Sequence, residues 1–188
     1  MKLKNIIIIS GPSGAGEDSI IEKLKERMNI NRIVTTTTRK KREGEKEGVS
    51  YYFVSKEDFQ KKINNDEMAE WAQEYNDNFY GVTKTELERV NKLPGVGIWK
   101  MEYKGVMTAK KKFPDILAIF VMAESLEELE RRIRNRSDVT EDYIKERMEY
   151  TKEWLKHQDI YDYKVINERG KLDKTVDKIE SIIIQHQK

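Results

Sequence analysis

Cysteine is missing from all 188 residues, and imidazoles are confined to His157 and His186. Disulfides, thiolate nucleophiles and cysteine-built metal sites are thereby excluded, and a zinc site built on histidine has little to draw on. Long apolar runs are missing too. None reaches the roughly 20 residues that cross a bilayer, and the N-terminal MKLKNIIIIS is too short for a signal peptide and lacks a small-residue cleavage site. No membrane partner is expected, and a cytoplasmic location is the simplest one. Charge of one sign is also lacking: 36 Lys plus Arg stand against 34 Asp plus Glu, a formal net charge of +2. The composition therefore carries no electrostatic footprint for nucleic acid, and none is expected as a partner. What the chain does have is 37% hydrophobic residues, enough for one core, and no internal repeat. One domain over 1–188 is expected, as a monomer or homodimer.

Residues 5–10, NIIIIS, form a β-branched run that breaks at Gly-Pro, as a buried parallel strand feeding a loop does. IIEKLKERM follows, with Ile20, Ile21, Leu24 and Met28 on one helical face. LAIFVMA (117–123) reads as a second buried strand ahead of SLEELERRIRNR, where Ser125 and Glu128 have capping-box spacing. DYKVIN (162–167) is a third strand, before a helix with Val176, Ile179, Ile182 and Ile183 at helical spacing. Strands alternating with helices predict an α/β fold with a mostly parallel sheet covered on both faces. From Thr35 to about Tyr80 the chain is polar, aromatic and short-stranded, which predicts an inserted lobe.

GPSGAGEDSI, residues 11–20, lies between the first strand and the first helix and is nearly a Walker A loop, G-x-x-x-x-G-K-[ST]. Gly11 and Gly16 hold the two glycine positions. Glu17, however, replaces the lysine and Asp18 the hydroxyl, with Ser19 offering a hydroxyl one place later. Strand, glycine loop and helix are in the order a phosphate cradle requires, so Gly11, Ser13, Gly14, Ala15, Gly16, Glu17, Asp18 and Ser19 are the expected contacts of a bound triphosphate.

Residues 36–54, TTTRKKREGEKEGVSYYFV, carry a second constellation. Arg39 and Arg42 stand three apart beside a turn, and two planar guanidinium forks suit a dianionic monophosphate better than lysines do. Tyr51 and Tyr80 can each add a hydroxyl. The spacing T-T-R-x-x-R-x-G-E-x-x-G-x-x-Y-x-F, filled by Thr37, Thr38, Arg39, Arg42, Gly44, Glu45, Gly48, Tyr51 and Phe53, resembles that of the guanylate kinase family. The resemblance continues through EWAQEYNDNFYG, GVMTAKKKFPD, SLEELERRIRNR and YDYKVIN, essentially the whole chain. It implies a P-loop nucleoside-monophosphate kinase fold, divided into a core (1–34, 95–124 and 160–188), a monophosphate-binding lobe (35–94) and a helical lid (125–159). It also implies ATP and Mg2+ as cofactors and a nucleoside monophosphate as substrate. By the same resemblance Glu70 and Glu45 favour GMP or dGMP, Thr35 helps hold the base, Arg136 and Arg147 close on the transferring phosphates, and Asn167 falls where the family contacts adenine. Arg131 and Arg134 are expected instead to be salt-bridged on an exposed helix.

The chain departs from this family where phosphate and magnesium meet. A family strand ending D-I-D-x-Q-G is here Lys100, Met101, Glu102, Tyr103, Lys104, Gly105. The loop has exchanged a lysine for an acid and the facing strand an acid for a lysine. Lys100 is therefore expected to supply the missing ammonium, with Lys104 in reserve on the same strand face, Asp18 as a magnesium ligand, and Glu102 in the longer acid's place toward substrate. Glu17 either pairs with Lys100 or turns to the helix N-terminus, where the dipole favours it. The family hydroxyl after Tyr80-Gly81 has become Val82, with Thr83 beside it as the substitute substrate contact. That leaves open another monophosphate such as dTMP. A non-catalytic domain that uses the monophosphate pocket to hold phosphorylated ligands is the alternative from a different class.

Overall fold

The computed structural model describes residue 3 and residues 5–73, 77–135 and 139–187. The chain opens with β1 (Ile6–Ser10), α1 (Glu17–Arg27) and β2 (Ile30–Arg32). It continues through β3 (Thr35–Thr37), β4 (Tyr51–Phe53), α2 (Lys56–Asn64), β5 (Met68–Gln73), β6 (Phe79–Thr83) and α3 (Lys84–Asn91). Then come β7 (Val96–Lys100), α4 (Tyr103–Lys112), β8 (Leu117–Met122), α5 (Leu126–Arg134), α6 (Glu141–Leu155), β9 (Tyr163–Ile166) and α7 (Leu172–His186). The three strands expected from apolar runs are β1, β8 and β9.

Two sheets divide the strands. The core sheet runs β2-β7-β1-β8-β9 with every pair parallel. β1 is buried along its whole length and β8 likewise, which is why both read as unbroken apolar runs rather than alternating ones. Ile179, Ile182 and Ile183 of α7 and Ile20, Ile21 and Leu24 of α1 complete the core. The second sheet, β4-β3-β6-β5, is mixed and is drawn wholly from residues 35–83. Its helices start on hydroxyl caps: Ser55 accepts from Asp58 N and Thr83 from Glu86 N. Glu86 is itself buried and accepts the Val34 N–H at 2.8 Å, tying α3 to the step between the sheets.

Two local expectations are corrected. β7 ends at Lys100, Glu102 is the N-cap residue of α4, and Lys104 is helical, so Lys104 does not share a strand face with Lys100. Its ammonium turns instead toward the Gln73 carbonyl, at 3.4 Å. At α5, Ser125 caps Glu128 N as expected, but Glu128 gives its carboxylate to Arg131 and Arg132 in place of the reciprocal bond of a capping box.

Candidate active site

β1 lies between β7 and β8, the point where the chain switches direction across the sheet, and the loop leaving it opens there. A Cβ on Gly11 would stand 2.2 Å from the Val121 carbonyl oxygen, and Gly16 has φ +96° with the Asn167 amide nitrogen 2.5 Å from its Cβ position. Only glycine permits both approaches. Gly16 then caps α1, whose first turn holds Glu17 and Asp18. Behind the loop, Asn167 Nδ2 donates to the Ala15 carbonyl at 2.8 Å, while its Oδ1 accepts from Thr175 Oγ1 at 3.1 Å. The Asn167 side chain thus braces the backbone from below, and Gly14 and Ala15 belong to that braced wall.

One cleft of about 680 Å³ faces this loop. It is lined by Gly11, Ser13, Gly16, Glu17, Asp18 and Ser19 on the loop side, and by Thr35, Arg39, Arg42, Glu45, Tyr51, Glu70 and Tyr80 from the second sheet and its connections. Lys100, Glu102 and Arg147 line it as well. Thr83 does not: its hydroxyl caps α3, and Val82 is the residue that reaches the cleft. Arg136 falls outside the described residues.

Arg39 is held in place by its protein neighbours. Arg39 makes a two-point contact with Glu45, Nη1 to Oε2 at 3.0 Å and Nη2 to Oε1 at 2.7 Å, and its guanidinium carbon lies 5.1 Å from the Tyr51 ring centre. The Arg42 backbone N–H also donates to Glu45, at 2.7 Å. The bond from Arg39, against the opposing pull of burial, keeps the Glu45 carboxyl below its usual range, so Glu45 is an anion that aims Arg39. Glu70 is 3% exposed, and a Cβ on Gly105 would come 3.2 Å from its Oε1, so α4 packs directly against this carboxylate.

An acid of the loop and the lysine that ends β7 are in direct contact. Lys100 Nζ lies 2.5 Å from Asp18 Oδ2. Asp18 thus supplies a carboxylate partner for Lys100. Burial works to discharge Lys100, but the fields of the buried Glu17 and then of Asp18 overcome it and leave its pKa above the ordinary lysine value. The other Asp18 oxygen, Oδ1, accepts from Arg32 Nη2 at 2.9 Å. Asp18 is therefore a poor magnesium ligand: both oxygens are committed to cations, which would repel a third. Among the described residues no three His, Cys, Asp or Glu side chains gather to hold a metal. The residues present suit a phosphate chain better than a resident ion, and magnesium arriving with a nucleotide would be coordinated by phosphate oxygens and water.

Arg147 on α6 reaches the cleft with its side chain 12% exposed, 3.9 Å from Glu102 Oε1 and over the Tyr143 ring. Arg131 and Arg134 make the surface pairs expected of them, with Glu128 and Glu130. Two basic residues escaped sequence reasoning. Arg32 joins the cleft from an edge strand, and Arg132 fastens the phosphate loop by donating to the Asn167 carbonyl at 2.8 Å and the Gly14 carbonyl at 3.3 Å. Glu128 holds Arg132 through Nε at 2.7 Å. Arg131 first and Arg132 second draw the Glu128 pKa from 4.5 down to about 2. A depressed carboxyl stabilises the fold above its unfolded pKa and loses that contribution as pH falls through the native value. Glu128→Gln should therefore lower the melting temperature at neutral pH, with a deficit that narrows below pH 4.5 and closes near pH 2. Thermal melts across that range check it, and a constant deficit would mean charge plays no part.

Fold and cleft together define a class, the P-loop kinases that act on nucleoside monophosphates. The family model described as guanylate kinase matches residues 3–186. The chain belongs to the guanylate kinase family. A guanylate kinase of Fusobacterium nucleatum subsp. nucleatum is 36% identical over 89% of this chain and 90% of its own length, and one of Rickettsia prowazekii is 37% identical over 98% and 94%. The crystal structure of guanylate kinase from Anaplasma phagocytophilum matches with a TM-score of 0.76 at 29% identity, over 99% of this chain and 87% of that one. The SH3-kinase fragment of tight junction protein 3 shares the fold alone, with a TM-score of 0.55 at 10% identity over 98% of this chain and 58% of that one. No helix among the described residues is long and apolar enough to cross a membrane.

Proposed function

We propose that this chain transfers the γ-phosphoryl group of ATP, with magnesium, to GMP or dGMP in the cytoplasm, acting as a monomer or homodimer. The observation that carries this is a single cleft in which a pre-aimed Arg39 and a buried Glu70 share space with Lys100 beside the phosphate loop. An oxygen of the acceptor phosphate attacks the γ-phosphorus in line, the bond from that phosphorus to the bridging oxygen breaks, and ADP leaves with the electron pair. No side-chain nucleophile is needed, because such catalysis is positioning plus electrostatic stabilisation. In this reading the second sheet with α2 and α3 (35–94) holds the acceptor: Arg39, Arg42, Tyr51 and Tyr80 on phosphate, Thr35, Glu70 and Glu102 on the base. The loop holds the donor, and α5–α6 (125–159) brings Arg147, with Arg136, to the transferring group.

ATP consumption measured with GMP, dGMP, dTMP and AMP in turn tests this. GMP and dGMP should be turned over fastest. Val82, which lines the cleft where the family has a hydroxyl, is the reason to include dTMP. A clear preference for dTMP would overturn the base assignment, and no stimulation by any monophosphate would overturn the kinase.

A further inference from the structure

Arg32, Asp18 and Lys100 come from three elements that a strand register brings together. β2 pairs with β7 in parallel with Arg32 opposite Ile98, and Lys100 lies two residues further along β7. Cross-strand partners share a sheet face, and so do residues two apart on one strand, so Arg32 and Lys100 project from the same face as diagonal neighbours. The first turn of α1 carries Asp18 to them, and its carboxylate divides between them, Oδ1 to Arg32 at 2.9 Å and Oδ2 to Lys100 at 2.5 Å. Arg32 and Lys100 both line the cleft, with side chains 13% and 24% exposed.

We propose that Asp18 is a counter-ion clamp rather than a metal ligand, and that Arg32 is a positioning residue: together they fix Lys100 Nζ at the mouth of the phosphate loop. A loop lysine is held by its own backbone anchor within the cradle. A lysine arriving from a neighbouring strand on a four-carbon stem needs something to aim it, and a flexible ammonium is aimed best by a carboxylate that is itself fixed. Arg32 fixes it: the guanidinium holds Oδ1, which leaves Oδ2 presented to Lys100. The four charges at this corner, Glu17 and Asp18 against Arg32 and Lys100, cancel, so the swap of acid and base leaves the corner neutral until phosphates enter. Arg32 thus acts through Asp18 and Lys100.

The proposal rests on Lys100 serving the donor phosphates, and a double-mutant cycle separates the two claims. With saturating ATP and GMP, Arg32→Met should lower kcat about tenfold while KM for GMP stays within about threefold. In a Lys100→Met background the same substitution should do nothing further, and Arg32→Lys should restore part of the loss. Multiplying losses in the double variant would show Arg32 acting independently and overturn the clamp while leaving Lys100 in its role. An unaffected Lys100→Met would overturn both. A second readout needs no turnover. In EDTA, Asp18→Asn should bind ADP about three- to tenfold more weakly by calorimetry, because Lys100 is no longer held toward the phosphates. Mn2+ binding to the ADP complex, followed by electron paramagnetic resonance, should be unchanged. Loss of Mn2+ binding in Asp18→Asn would make Asp18 a ligand and overturn the clamp.

Discussion

Arg39→Met is expected to lower kcat/KM for GMP by about 100- to 1,000-fold. A guanidinium fork on a dianionic phosphate makes two charge-assisted hydrogen bonds, each of about 1.5–3 kcal/mol, and a factor of ten corresponds to about 1.4 kcal/mol. The native contact to Glu45 adds to the loss. With Arg39 gone, the Glu45 carboxylate keeps its bond from the Arg42 N–H but loses both guanidinium partners, and an unneutralised anion then faces the acceptor phosphate. Arg39→Lys should recover part of the activity, since the charge returns without the fork. Steady-state kinetics at varied GMP measure this, and an unchanged KM and kcat in Arg39→Met would remove Arg39 from the acceptor site.

Lys100→Met should lower turnover by about ten- to several-hundred-fold with the fold retained. A triphosphate in a partly desolvated site needs cations near its bridging oxygens, and the loop itself offers amides and a helix dipole but two carboxylates. One charged hydrogen bond accounts for about 1.5–3 kcal/mol, more where it strengthens in the transition state. Lys100 remains charged through neutral pH, because its acidic neighbours hold its pKa above the usual lysine value. A raised pKa keeps the ammonium form until pH climbs past that elevated value, so activity below pH 9 should show no inflection from Lys100. Restoring the family lysine with Glu17→Lys should not simply help. It removes an anion that Lys100 relies on and sets two ammonium groups against each other. If Lys100→Met left activity intact while Glu17→Lys raised it strongly, the loop would be merely damaged and the exchange idea wrong.

Much of this was legible in sequence because the governing constraints are local. β1 and β8 are buried on both faces, so apart from the hydrogen-bonded Ser10 at the end of β1 their residues are apolar, and the apolar runs gave their location directly. The loop glycines are fixed by close backbone approach, which no other residue meets. Arg39 and Arg42 stood out through spacing. What escaped depends on long-range register or on a one-residue phase. Arg32 sits in the three-residue strand INR, too short for a period to show, and its partner lies on a helix turn that only tertiary packing brings near. Arg132 reads as an ordinary helix-surface partner of Glu128, and its reach to the loop carbonyls follows from where α5 lies. KMEYK alternates like a strand, but the chain turns helical at Tyr103, which carries Lys104 away. Thr83 fails for a related reason: a shift of one residue on a strand changes the face.

The order of strands in the core sheet sets when this protein can begin to exist on the ribosome. β1 is made first, yet its hydrogen-bonding partners are Gly97 to Lys100 on one side and Leu117 to Phe120 on the other. At synthesis rates of about 5–20 residues per second, the run of four isoleucines waits roughly 5–20 s for its first neighbour. The second sheet, whose strands all lie within residues 35–83, is translated entire during that interval. The nascent chain therefore carries every strand of its second sheet while β1 still waits, as an apolar segment, for the strands that pair with it.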